Sequence, residues 1–243
     1  MKKAIGYVYV IAAAVCWGFL GLFNRVLTAA GVSLLNMMPL RFGGTAILFT
    51  VFCMMFKQQV FHIKLRHLPI FLGSGLISML LVLCGCALVS GIVGSDVGIS
   101  LEGLLMGLAS ELCYGGYTIF THYGMRYCDS FTMAYWTFLI AGIASLFLAD
   151  GPALLSALAE PRTGLAALGL MVMGTALPFT LYTKGLETVE SGKAAIIANI
   201  EPVMSAVIGV TVFQETLGLW TLVGIVLVLS GVVVLACEKE PTS

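Results

Sequence analysis

Long apolar runs separated by short polar breaks dominate the chain. Eight runs are long enough to cross a bilayer as helices: 4–27, 34–56, 68–93, 103–123, 131–149, 164–183, 194–213 and 219–236. They are continuous apolar stretches and not ten-residue alternations, so the pattern predicts membrane helices and excludes a closed β-barrel. No polar stretch between them is long enough for a folded polar domain. The expected fold class is therefore an all-α integral membrane protein with eight transmembrane helices. Between Asp150 and Thr163, Leu154, Leu155 and Leu158 stand between Pro152 and Pro161, a segment expected to lie on the membrane interface.

Composition sharpens this picture. The 243 residues are 60% hydrophobic and 10% charged, where a soluble domain carries about 25% charged residues. Twelve Lys and Arg balance twelve Asp and Glu, which leaves no basic face for nucleic acid. The seven cysteines form no CxxC pair and read as small apolar packing residues. With the N-terminus placed in the cytoplasm, Lys2, Lys3, Lys57, Lys64, Arg66, Arg126, Lys184, Lys193 and Lys239 fall on the cytoplasmic side, nine of the twelve basic residues. Only Arg162 falls in an outer loop. The positive-inside bias thus predicts cytoplasmic N- and C-termini in a multi-pass protein of the cytoplasmic membrane.

An internal repeat adds architecture. Gly6 through Cys16-Trp17-Gly18 matches Gly103 through Cys113-Tyr114-Gly115 at an offset of 97, and Leu72-Gly73 matches Leu168-Gly169 at 96. Leu81 through Gly85 instead matches Leu227 through Gly231 at 146. The offsets describe a complete five-helix unit, 103–236, and a shortened three-helix copy, 4–93. The copy lacks about 50 residues, roughly two crossings, between Gly73 and Leu81. A five-helix unit is odd, so its two copies run in opposite directions, as in inverted-repeat carriers.

Cys16-Trp17-Gly18, Leu40-Arg41-Phe42, Tyr182-Thr183-Lys184-Gly185-Leu186-Glu187 and the stretch from Glu190-Ser191-Gly192-Lys193 through Ile200-Glu201-Pro202-Val203 to Phe213-Gln214-Glu215 resemble the EamA-type branch of the drug/metabolite transporter superfamily. The resemblance covers nearly the whole chain. It implies a secondary transporter that moves a small organic metabolite or drug by alternating access between two repeats, with 194–213 lining the central cavity. It also implies that the first-half counterpart of 194–213 is missing. The other reading is a non-transporting shortened member or membrane scaffold, active only as an oligomer, with a homodimer as its simplest form.

Ionisable groups at membrane depth cost at least about 2.5–3.5 kcal/mol each, which makes them functional candidates. Arg41 is an anchor for an anionic substrate group or a partner for Glu111 or Glu201. Glu111 leads a polar stripe continued by Tyr114, Thr118 and His122; it is a coupling carboxylate or an interhelical hydrogen-bonding acid. Glu201, with Asn199 beside it, is a candidate for substrate or proton, and Pro202 is expected to kink that helix. Arg25 is expected to snorkel to headgroups and Lys184 to anchor at the interface. Tyr114 and Tyr182, with Trp17 and Tyr117, could stack on a flat or cationic substrate. No metal-ligand spacing, P-loop, nucleophile elbow or HExxH occurs, so neither a metal, a cofactor nor an enzymatic activity is expected. The partners expected are a small-molecule substrate and the lipid bilayer.

Overall fold

The computed structural model describes residues 2–61, 65–89 and 101–237. Among them the helices are α1 (Lys2–Gly18), α2 (Leu20–Ala29), α3 (Leu34–Met38), α4 (Gly44–Phe56), α5 (Leu68–Val89), α6 (Leu101–Gly124), α7 (Ser130–Ser145), α8 (Gly151–Leu158), α9 (Pro161–Met171), α10 (Leu177–Gly185), α11 (Ser191–Ala198), α12 (Ile200–Phe213) and α13 (Leu219–Cys237). No strand occurs among the described residues. Four helical stretches there are long and apolar enough to cross a bilayer: Ala4–Ala29, Leu35–Phe56, Pro161–Gly185 and Ser191–Phe213. Shorter apolar helices run over Leu68–Ser78, Ser130–Ser145 and Thr221–Val233. Positions 90–93 at the end of the third expected span lie outside the described residues, as do Lys64, Asp96 and Lys239.

Each of the four long stretches is interrupted, which the apolar pattern does not reveal. The first breaks at Phe19, between α1 and α2. The second passes through a π-helical segment, Pro39–Gly43, and the third through another, Val172–Ala176. The fourth breaks at Asn199, three residues before Pro202. Proline borders both π segments: Pro39 opens one, and Pro178, just past the other, cannot donate to the Gly174 carbonyl in the usual i→i−4 pattern. Pro202 likewise cannot donate to Ala198.

Packing runs between the N-terminal and C-terminal parts of the chain. The helix α1 lies along α10, α11 and α12, while α5 packs against α6 and α7. Small residues permit the closest approaches, as expected where helices associate by contact and not by the hydrophobic effect. A Cβ on Gly185 would meet Val10 Cγ2 at 2.5 Å and the Gly6 carbonyl oxygen at 3.0 Å. One on Gly142 of α7 would lie 2.9 Å from the Gly43 Cα, so α7 rests directly on the first π segment. The main core gathers Val10, Trp17, Phe42, Phe49, Tyr117, Phe138, Phe179, Tyr182 and Leu186.

The segment after α7 forms the amphipathic helix α8. Asp150 caps it, accepting a hydrogen bond from the Ala153 N–H at 3.3 Å. Leu154 and Leu158 pack against the cluster around Leu27, Met37 and Leu170, whereas Leu155 is exposed.

Candidate functional site

The C-terminal end of α1 places Trp17 among rings from α6 and α10. Its indole lies 5.1 Å from Phe179, 5.3 Å from Tyr182 and 6.3 Å from Tyr114, measured between ring centroids. Tyr114 and Tyr182 are themselves 5.9 Å apart. Edge-on and tilted geometries of this kind are the favoured aromatic contacts. The hydroxyls are held by threonines: Thr118 Oγ1 and the Tyr182 hydroxyl are 3.2 Å apart, and the Tyr117 hydroxyl is 3.4 Å from Thr183 Oγ1. Trp17 Nε1 is buried without a hydrogen-bond partner among the described residues. The Tyr114 hydroxyl is buried close to that of Tyr182. An N–H left unmade at such depth costs about 1–3 kcal/mol, so this donor is available to an acceptor that enters the cluster.

Arg41 sits in the first π segment and joins it to the second. Its Nε donates to Thr175 Oγ1 at 3.2 Å, and Thr175 Oγ1 in turn donates to the Leu170 carbonyl at 2.9 Å. Beside it, Thr45 Oγ1 donates to the Met171 carbonyl at 3.1 Å. The hydroxyls of Thr45 and Thr175 thereby serve two carbonyls of the turn that leads into the irregular winding of α9. The guanidinium carbon of Arg41 lies 5.8 Å from the Phe42 ring centroid and 5.9 Å from that of Phe179, at the reach of a cation–π contact. Arg41 thus shares Phe179 with Trp17.

Glu201 is half-buried in the first turn of α12, where the positive end of the helix dipole favours a carboxylate. It is near enough to Tyr114 to act on that hydroxyl electrostatically. Asn199 is exposed and spends its Nδ2 donor on the Ala195 carbonyl at 3.1 Å. The structure therefore brings Trp17, Tyr114 and Tyr182 into one ring cluster, with Arg41 bordering it through Phe179 and Glu201 beside Tyr114. It does not bring Asn199 there, and the side chain of Glu111 lies outside the described residues. Thr118, from the Glu111 stripe, and Thr183, from the signature run, complete the cluster with Phe179 and Thr175, which escape the sequence reading. Their one local signal is hydroxyl residues and Pro178 inside otherwise apolar helices.

Ion pairs hold the two ends of the molecule. Arg25 pairs with Glu215, and its guanidinium lies 4.3 Å from the centre of the Phe213 ring. The expected snorkelling to headgroups is thus replaced by a protein partner 190 positions away, an association no local pattern encodes. At the other end Lys57 Nζ is 3.4 Å from Asp129 Oδ2 and 4.8 Å from the centre of the Phe131 ring. Burial works against a charge on Asp129, but the Thr132 hydroxyl and the Lys57 ammonium outweigh it and hold the carboxyl below its ordinary value. Burial pushes the neighbouring Cys128 thiol up to about 11. Lys184, half-exposed at the end of α10, pairs with Glu187 at 2.6 Å.

Comparison with known proteins supplies the family. The EamA-like transporter family matches residues 101–237. An uncharacterised transporter of Archaeoglobus fulgidus is 41% identical over 68 residues, 28% of this chain and 25% of that protein. The uncharacterised transporter YwfM of Bacillus subtilis is 27% identical over 176 residues, 70% of this chain and 58% of its own length. The uncharacterised inner membrane transporter YicL of Salmonella typhimurium is 26% identical over 154 residues, 60% of this chain and 48% of that protein. The chain thus spans between a quarter and about three fifths of these relatives.

Proposed function

Because the chain belongs to the EamA-like transporter family and is a multi-pass membrane protein by its apolar helices, we propose that it is a secondary transporter moving a small organic metabolite or drug across the cytoplasmic membrane by alternating access. The observation that carries this reading is the aromatic cluster of Trp17, Tyr114, Phe179 and Tyr182, assembled from three helices around a buried indole N–H with no partner among the described residues. Stacking on the rings and donation from Trp17 Nε1 would hold a flat substrate bearing an acceptor. Arg41 would orient an anionic group, and Glu201 would carry a coupling proton. Glu111 is the second coupling candidate, and Asn199 would reach substrate only after α11 and α12 move relative to one another.

Alternating access would rock unit 4–93 against unit 103–236. The Arg25–Glu215 and Lys57–Asp129 pairs each join one unit to the other. One would part when the carrier opens outward and the other when it opens inward, with both termini in the cytoplasm.

The test is flux into proteoliposomes under an imposed pH gradient, with labelled amino acids, nucleosides and the organic cation ethidium as probes. Glu201→Gln should abolish gradient-driven flux while leaving exchange of bound substrate. Unchanged gradient-driven flux in that variant removes Glu201 from the coupling role.

A second reading, a shortened member without transport activity, is favoured by the shift of the repeat offset from 96 to 146 between Gly73 and Leu81. Absence of flux for every probe, with a folded protein of dimeric or larger mass in detergent, would favour that reading. A monomer with substrate-dependent flux would reject it.

A further inference from the structure

A cavity of about 720 Å³ lies away from the ring cluster at the end of the molecule where α4 finishes and α7 begins. It is lined by Lys57 and Val60 after α4, His67 and Phe71 at the start of α5, Arg126 after α6, and Thr132 on α7. Asp129 also faces it. Its floor is apolar and fixed, with Val60 and Phe71 both buried, and Trp136 Nε1 donating to the Val60 carbonyl at 2.9 Å. Its rim is basic.

The charges in this pocket do not cancel. Asp129 is matched by Lys57 and accepts a further hydrogen bond from Thr132. Arg126 lines the same cavity, and among the described residues no carboxylate pairs with it. Its guanidinium lies 5.3 Å from the centre of the Tyr123 ring, which holds the charge in place without neutralising it. His67 lies against Tyr127, ring centroids 4.5 Å apart, and adds an imidazole to the rim. An uncompensated guanidinium and an ammonium over an apolar floor suit a ligand with an anionic head and an apolar root.

We propose that this pocket binds a phosphate group, with Arg126 and Lys57 as its cationic contacts and Val60 and Phe71 beneath the group that carries it. The positive-inside pattern places this end at the cytoplasmic leaflet, where anionic phospholipids lie and where each basic residue attracts them by about 1 kcal/mol. The same chemistry is offered by a lipid headgroup or by a free phosphate. Asp129 opposes the anion, so it limits affinity and makes the site adjustable.

The full chain in detergent would be titrated with phosphatidylglycerol, with phosphatidylcholine and with inorganic phosphate, and bound species counted by native mass spectrometry. Retention of phosphatidylglycerol over phosphatidylcholine that falls about fivefold in Arg126→Gln, and is kept in Arg126→Lys, is the expected result. Asp129→Asn should move the other way and tighten retention. Displacement by inorganic phosphate at millimolar concentration, with no preference between the two lipids, would identify a soluble phosphate as the occupant and uphold the site. Equal retention of both lipids without phosphate binding would overturn the proposal, as would phosphatidylglycerol binding indifferent to Arg126→Gln and Asp129→Asn. Thermal unfolding of each variant separates a lost ligand from a lost fold.

Discussion

Two interruptions of apolar helices stand in contrast. At Val172–Ala176 the irregular backbone is held from outside: Thr45 and Thr175 serve the Met171 and Leu170 carbonyls, and Arg41 ties Thr175 to the neighbouring π segment. At Asn199 the break serves itself, with the Asn199 side chain returning to Ala195 and the backbone N–H reaching Ile196 at 3.2 Å. The first is buried at Gly174 and Thr175, and the second is exposed at Asn199 and Pro202. A broken helix in a membrane must place its freed polar groups somewhere. One break placed them in a fixed network and so became scaffold. The other was left to its own chain and remains deformable.

The largest effect should come from prying the fixed break open. Gly142→Val drives a side chain into the Gly43 backbone and should cost about 3 kcal/mol, read as a lowered Tm in detergent. Next is Thr175→Val, which removes the hydroxyl donor to the Leu170 carbonyl and a partner of Arg41; about 2 kcal/mol is expected, with most of it restored by Thr175→Ser. Should Thr175→Val cost no more than Asn199→Ala, the contrast between the two breaks collapses. Asn199→Ala itself should cost less than about 1 kcal/mol, because water or lipid headgroups can replace its bond. Pro202→Ala should leave Tm equal or raised, since proline is unfavourable inside a helix, while slowing flux by straightening the deformable break.

The smallest effect concerns pH at the far end of the molecule. The Asp129 carboxyl is held below its ordinary value, so its contribution to stability is present above the unfolded carboxyl value of about 4. It is lost as pH falls through the lower folded value. Asp129→Asn should remove that acid-side step in a Tm-versus-pH profile without altering the neutral range, and an identical acid limb in both proteins would count against the pair.

Much of the helical layout was legible because a crossing needs about 20 apolar residues, and that length is a one-dimensional property. The interruptions were less so. Pro202 announces its break by chemistry, but the π segments follow from where Thr45, Thr175 and Arg41 meet, across 126 and 134 positions. Trp17, Tyr114 and Tyr182 were legible as aromatic candidates, yet only the packing of α1 on α10 makes them neighbours. The run Tyr182-Thr183-Lys184-Gly185, read as a family signature, has physical content at each place. Its tyrosine and threonine are buried in the ring cluster, its lysine is half-exposed beside Glu187, and its glycine lets α1 touch α10.

That last contact divides the ring cluster. Because Gly6 and Gly185 let α1 and α10 approach closely, Trp17, Phe179 and Tyr182 sit together on one side of the cluster. Tyr114 belongs to α6, where a Cβ on Gly115 would meet nothing within 4 Å and one on Gly116 would be only 3.6 Å from the Ile77 side chain. The cluster therefore joins two differently packed helix pairs: three rings ride on the glycine-fitted contact of α1 with α10, and the fourth rides on α6, which packs chiefly against α5.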